Sequence, residues 1–174
     1  MPTVTLLTGG ARSGKSRRAL ELARARHGGK VFIATAEVTD DEMRERIDRH
    51  QGERGADFAT IEEPVDLARA VKGLTVETGV AVIDCMTVWL GNLMHRHGLE
   101  ADDYPEVAAF LEALESPPCD ILVVTNELGM GTVPANAMAR KFRDIAGRLN
   151  QTLAARADRV LLMVSGLPLA LKGE

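Results

Sequence analysis

Gly9, Gly14, Lys15 and Ser16 stand at the spacing G-x-x-x-x-G-K-[ST], inside the run Gly9-Gly10-Ala11-Arg12-Ser13-Gly14-Lys15-Ser16. That spacing is chemistry before it is structure. Glycines let the backbone turn tightly, so that successive N–H groups converge on an anion. A helix starting immediately afterwards adds its unpaired N–H groups and positive dipole end to the same anion. Lys15 then reaches the terminal phosphates of a nucleotide, and the Ser16 hydroxyl is placed for Mg²⁺. The flanks agree: Thr3 to Thr8 is a short β-branched and apolar run, and a helical pattern resumes through Arg17, Leu20 and Ala23. The chain binds a nucleotide through a P-loop.

Three further places carry reactive side chains. Gly79 to Asp84 is an apolar run closed by an acid, the pattern of a strand that presents a carboxylate to a nucleotide-bound Mg²⁺. His50 shares a helix face with Met43 and Ile47 and is followed by the polar, Gly-punctuated stretch Gln51-Gly52-Glu53-Arg54-Gly55. A histidine on an apolar stripe is more often a packing residue, but one at a helix end beside a loop is also placed for catalysis. Cys119 to Thr125 contains a buried strand that runs into Asn126-Glu127-Leu128-Gly129-Met130-Gly131, which is either an active-site loop or a plain turn. His27, His95 and His97 read as solvated residues at helix ends.

These groups need a frame. Strands are expected at Thr3–Thr8, Lys30–Thr35, Phe58–Glu63, Gly79–Asp84, Ile121–Thr125 and Arg159–Val164. Helices are expected at Lys15–His27, Asp40–His50, Val65–Leu74, Thr87–His95, Tyr104–Glu115 and Pro134–Ala157, followed after Val164 by a short apolar tail. The alternation predicts a mostly parallel α/β sheet with helices on both faces. With the Gly9–Ser16 loop between its first strand and helix, the expected class is the P-loop NTPase (RecA-like). In such sheets ligands bind outside the carboxyl ends of the strands, where Ala34-Thr35, Asp84 and Asn126 fall.

The chain has 174 residues, 45% hydrophobic and 26% charged, which predicts one globular domain over 1–174. A net charge of -4 gives no global reason to expect nucleic acid, and 3% aromatic residues leave few stacking platforms for single strands. Cys85 and Cys119 lie far apart with no zinc spacing and read as reduced thiols. No apolar run nears the roughly 20 residues of a membrane span, and no signal peptide is visible, so a cytoplasmic location is expected.

With these segments laid out, the chain resembles the bifunctional adenosylcobinamide kinase/adenosylcobinamide-phosphate guanylyltransferases of vitamin B12 coenzyme assembly. The resemblance rests on Thr8–Ser16, Ile33–Thr35, Asp40–Met43, Arg46-Ile47 leading to His50, Val124–Gly131, Phe142–Gln151 and Val164–Gly166. It implies two reactions: ATP or GTP phosphorylates the aminopropanol hydroxyl of adenosylcobinamide, and GTP then donates GMP to that phosphate with release of pyrophosphate. It also implies that the guanylyl group passes through His50, with Lys15 assisting. By the same resemblance the nucleotide contacts are Thr8, Gly9, Gly10, Ala11, Arg12, Ser13, Gly14, Lys15, Ser16, Ile33, Ala34, Thr35, Gln51, Gly52, Glu53, Arg54, Glu62 and Asp84. Ser16 and Asp84 would hold Mg²⁺. Arg49 stands where some relatives carry a second histidine, and Asp84 where the family can carry Glu. A homotrimer is implied by the family alone. The rival readings are a single-activity P-loop kinase and a nucleotide-dependent binding switch, the latter disfavoured because Asn126-Glu127-Leu128-Gly129 is not a guanine-specific N-K-x-D.

Overall fold

The computed structural model describes residues 1–37, 55–98, 101 and 103–173. The expected helix Asp40–His50 and the loop Gln51–Arg54 lie outside the described residues. Among the described residues seven strands form one sheet: β1 (Val4–Gly9), β2 (Gly29–Ala34), β3 (Ala59–Glu62), β4 (Thr78–Asp84), β5 (Asp120–Val124), β6 (Arg159–Val164) and β7 (Leu167–Lys172). Their order is β3-β2-β4-β5-β1-β6-β7, parallel throughout except for the β6–β7 pair. Five helices lie among the described residues: α1 (Lys15–Arg24), α2 (Leu67–Lys72), α3 (Met86–His97), α4 (Pro105–Ala113) and α5 (Ala137–Arg156).

Strands buried on both faces read as nearly unbroken apolar runs, because each parity must fill a core. Leu7, Phe32, Val82 and Leu122 pack with Ala19, Leu20 and Ala23 of α1 on one face. Leu6, Ile33, Ile83 and Val123 pack on the other against α2 to α5, with Trp89 and Phe110 at its centre. The two rings meet edge to face, 5.4 Å between centroids. The expected two-faced parallel sheet is what forms.

Most element ends shift by one to three residues, and two departures from expectation have a visible cause. α1 stops at Arg24 and leaves His27 beyond it, because the chain must turn sharply to enter β2. Gly28 takes φ +87°, and a Cβ on Gly79 would fall 1.8 Å from the His27 carbonyl oxygen, so this crossing tolerates no side chain. The expected tail after Val164 is β7. Ser165 (φ 52°) and Gly166 (φ 83°) form a two-residue turn with both central residues left-handed, the geometry that suits a twisted hairpin. The strand that follows is exposed along its whole length, without the buried parity that marks core strands.

Candidate active site

Register brings the chemistry-bearing residues to one edge. Ala34 pairs with both Glu62 and Asp84, Asp84 with Val124, and Val124 with Leu7. The last residues of β2, β3, β4 and β5 and the P-loop after β1 therefore lie level at the carboxyl ends of the strands. Here a parallel sheet offers unpaired backbone groups to a ligand.

The P-loop is braced from two sides. A Cβ on Gly9 would sit 2.4 Å from the Met163 carbonyl oxygen of β6, so the loop leaves the sheet only because that residue is glycine. Gly14 (φ 94°) precedes α1 and packs against Gly166, where a Cβ would meet the Gly166 Cα at 3.2 Å. The Gly166 N–H donates to the Ser13 carbonyl at 3.0 Å. The β6–β7 turn thus props the phosphate loop. Arg12 holds φ 55°, a conformation uncommon outside glycine and found where the surroundings enforce it.

Lys15 is buried, and its Nζ donates to the Gly10 carbonyl at 2.6 Å and to the Ser13 hydroxyl at 3.4 Å. Burial pulls its pKa below the ordinary value, against the opposing pull of the Asp84 charge. An ammonium has three donors, and an anion arriving at this loop would complete the set and relieve the desolvation. Ser16 and Asp84 are half-buried. Both are hard oxygen donors, and no group of three His, Cys, Asp or Glu among the described residues forms a self-contained metal cage. That donor set fits Mg²⁺, which takes one or two protein oxygens and completes its octahedron with phosphate and water.

Thr35 and Asn92 tie the neighbouring loops together. The Thr35 hydroxyl accepts from the Cys85 N–H at 2.8 Å and donates to the Cys85 carbonyl at 2.9 Å. The Asn92 amide of α3 donates to the Thr35 carbonyl at 2.7 Å and to the Pro64 carbonyl at 3.0 Å. Trp89 Nε1 donates to the Val65 carbonyl at 2.7 Å. Glu63 closes the same corner: it accepts from the Val65 and Asp66 N–H groups and pairs with Arg69. On the far side, the Thr87 hydroxyl accepts from the Asn126 N–H, and Asn150 of α5 bridges Thr125 and the Asn126 carbonyl.

Residues 5–171 match the family described as cobinamide kinase / cobinamide phosphate guanyltransferase. The chain belongs to that family. It is 42% identical to the bifunctional adenosylcobalamin biosynthesis protein CobP of Pseudomonas aeruginosa, over 97% of either chain. It is 38% identical to the protein of Escherichia coli named CobU with the same description, over 96% of this chain and 98% of that one. Among solved structures it is similar to an ATPase of a bacterial type III secretion system, with TM-score 0.56, 10% identity, and 97% of this chain and 56% of that one covered. That likeness shows the fold alone.

Within this cobinamide kinase/guanyltransferase frame, the residues named from sequence are distributed as follows. Gly9 to Ser16, Ala34, Glu62 and Asp84 reach the common edge, and Glu62 is exposed there. Ile33 and Thr35 are fully buried, so their side chains face the protein, and Thr8 is buried with its hydroxyl unpartnered among the described residues. His50, Gln51, Gly52, Glu53 and Arg54 lie outside the described residues. Asn92, Thr87 and Asn150 carry no signal in the sequence. Their work is to hold backbone carbonyl and N–H groups of distant loops, which leaves no local spacing to read. Cys85 and Cys119 are free thiols, each pushed up to about 11 by burial, which keeps them protonated at neutral pH.

Proposed function

We propose that this chain carries out both reactions of its family in one subunit: phosphorylation of the adenosylcobinamide aminopropanol hydroxyl by ATP or GTP, then transfer of GMP from GTP to that phosphate. The observation that carries the reading is Lys15, a buried ammonium with two loop oxygens for partners and Asp84 within electrostatic reach, in a chain that matches the family over residues 5–171.

The P-loop amides and Lys15 bind the triphosphate and offset charge on the departing group, since fixed donors in a partly buried site need no reorganisation as charge develops. Ser16 and Asp84 would hold Mg²⁺, which supplies further neutralisation of the phosphate oxygens. In this reading Glu62, which is exposed at the end of β3, accepts hydrogen bonds from the nucleoside. In the second reaction His50 attacks the α-phosphorus of GTP and pyrophosphate leaves. The acceptor phosphate then displaces histidine and takes the guanylyl group. Neutral imidazole suits this task near pH 7, because its ordinary pKa is close to 6.5. The assembly is a homotrimer, and the site lies within the cytoplasm.

The test is incubation with α-³²P-GTP and Mg²⁺ of the wild type and of His50→Ala. Acid-labile, alkali-stable label in the wild type and none in the variant supports a phosphoramidate at His50. A wild type that binds GTP and stays unlabelled removes the guanylyl-histidine step and leaves the kinase. Light scattering on the purified protein gives the subunit number.

A further inference from the structure

An open cleft of about 320 Å³ lies beside the P-loop, lined by Gly10 to Ser13, by Glu127 and Met130, and by the end of β6 and its turn, Leu162 to Ser165. Its position relative to the phosphates follows from Lys15. A P-loop lysine reaches the terminal phosphates, and here the ammonium lies 2.6 Å from the Gly10 carbonyl oxygen. Gly10 is a wall of the cleft, so the cleft opens at the terminal-phosphate end of the loop and not at the Gly14 end, where α1 begins.

One carboxylate faces this space. Glu127 follows β5, and its N–H donates to the Gly9 carbonyl at 2.9 Å, which fixes its backbone to the P-loop. Its Oε1 accepts from the Gly129 N–H at 2.6 Å, which sets the side chain, while Oε2 has no hydrogen-bond partner among the described residues. Of the remaining walls, Met130, Leu162, Met163 and Val164 are hydrocarbon and thioether, and Ser165 adds a hydroxyl at one edge. A pre-set carboxylate oxygen, an apolar wall and a terminal phosphate around one cleft make an acceptor site for an alcohol carried on a largely apolar skeleton.

We propose that Glu127 is the general base of the kinase half-reaction, an assignment that rests on the function proposed above. The acceptor alcohol lies in the cleft with its hydroxyl donating to Glu127 Oε2. As its oxygen bonds to the γ-phosphorus, the bond to the β–γ bridging oxygen breaks and the nucleoside diphosphate leaves. The hydroxyl proton passes to Glu127, which later releases it to solvent. Guanylyl transfer needs no such base, since its acceptor is already an ionised phosphate.

The experiment compares wild type with Glu127→Gln, which keeps an acceptor for the Gly129 N–H but cannot take a proton. Phosphorylation of adenosylcobinamide by ATP and guanylylation of preformed adenosylcobinamide phosphate by GTP are assayed separately. The kinase kcat falls about 10²- to 10⁴-fold, the usual worth of a general base. Its KM for adenosylcobinamide shifts by less than about threefold, the acid limb of the kinase pH–rate profile disappears, and guanylyl transfer persists. Equal loss of both half-reactions assigns Glu127 a structural part in the loop and overturns the proposal. So does a kinase kcat within about threefold of wild type. A wild-type protein that phosphorylates no corrinoid overturns the kinase half of the proposed function as well, which separates the two failures.

Discussion

Thr35→Val tests whether the buried clamp at the end of β2 sets the Asp84 carboxylate. The substitution keeps the shape and removes the hydroxyl that holds Cys85, the residue after Asp84, through both its N–H and its carbonyl. The two lost bonds are not equivalent. The Cys85 carbonyl still accepts from the Trp89 N–H at 3.1 Å, so losing the Thr35 donor there costs about 0.5–1.5 kcal/mol, a typical net hydrogen bond. The Cys85 N–H has no second acceptor among the described residues and is left unsatisfied, which costs about 1–3 kcal/mol. A methyl in place of the hydroxyl at a fully buried site returns a part of this, so the expected loss is about 2–3 kcal/mol. For a chain of this length that lowers Tm by roughly 4–12 °C. Thermal unfolding by circular dichroism measures it, and titration of fluorescent GTP binding against Mg²⁺ reads the local effect. The Mg²⁺ requirement rises in Thr35→Val and returns with Thr35→Ser. A Val variant that melts within about 1 °C of wild type, with an unchanged Mg²⁺ requirement, refutes the clamp.

Gly9→Ala drives a Cβ to 2.4 Å from the Met163 carbonyl oxygen and 2.9 Å from the Ser13 hydroxyl, so nucleotide binding drops below detection in calorimetry while β2 to β5 remain folded. At Glu63, burial alone would raise the carboxyl pKa, but the Arg69 pairing and the Asp66 and Val65 amides reverse that and leave it below its ordinary 4.5. A depressed carboxyl pKa stabilises the fold above the unfolded value and loses that contribution as pH falls through the folded one. Glu63→Gln therefore melts below wild type at pH 7, and the gap closes as pH drops under about 4.5 in a series of melts. At Cys85 and Cys119, burial raises both thiols to about 11, so mass spectrometry of native protein treated with iodoacetamide at pH 7.5 finds neither alkylated, and both react after denaturation.

Much of this site is legible in the sequence because its signals are contiguous. Gly9 to Ser16 is read from spacing, and Asp84 from a run of apolar residues that ends in an acid. Parallel strands are buried on both faces, so β1, β4 and β5 announce themselves as apolar runs, and α/β alternation fixes their parallel sense. The positioning residues are illegible for the opposite reason. Asn92 lies 57 positions from Thr35 and 28 from Pro64, and Asn150 lies 24 from Asn126. Each acts on a backbone carbonyl, to which every residue type contributes alike. β7 was missed because Leu167 to Lys172 buries neither face, so its sequence need not alternate, although Ser165-Gly166 is a fair hairpin turn.

The strand order explains how one edge can serve two different acceptors. β5 is inserted between β4, which carries Asp84, and β1, which carries the P-loop. Strands lie about 4.8 Å apart, so the ends of β4 and β1 are separated by roughly 10 Å, enough for a phosphate and a hydrated cation between them. Were the two strands adjacent, Asp84 and Lys15 would collapse into a direct ion pair and exclude both. The inserted strand also delivers Glu127 beside Gly9, with the β6 cleft on the other side of the P-loop from Asp84. On the proposed assignments, the metal side and the acceptor side of the triphosphate are served by different strands. A substitution on one side can then disable one half-reaction and spare the other, which is the division that the Glu127→Gln assay measures.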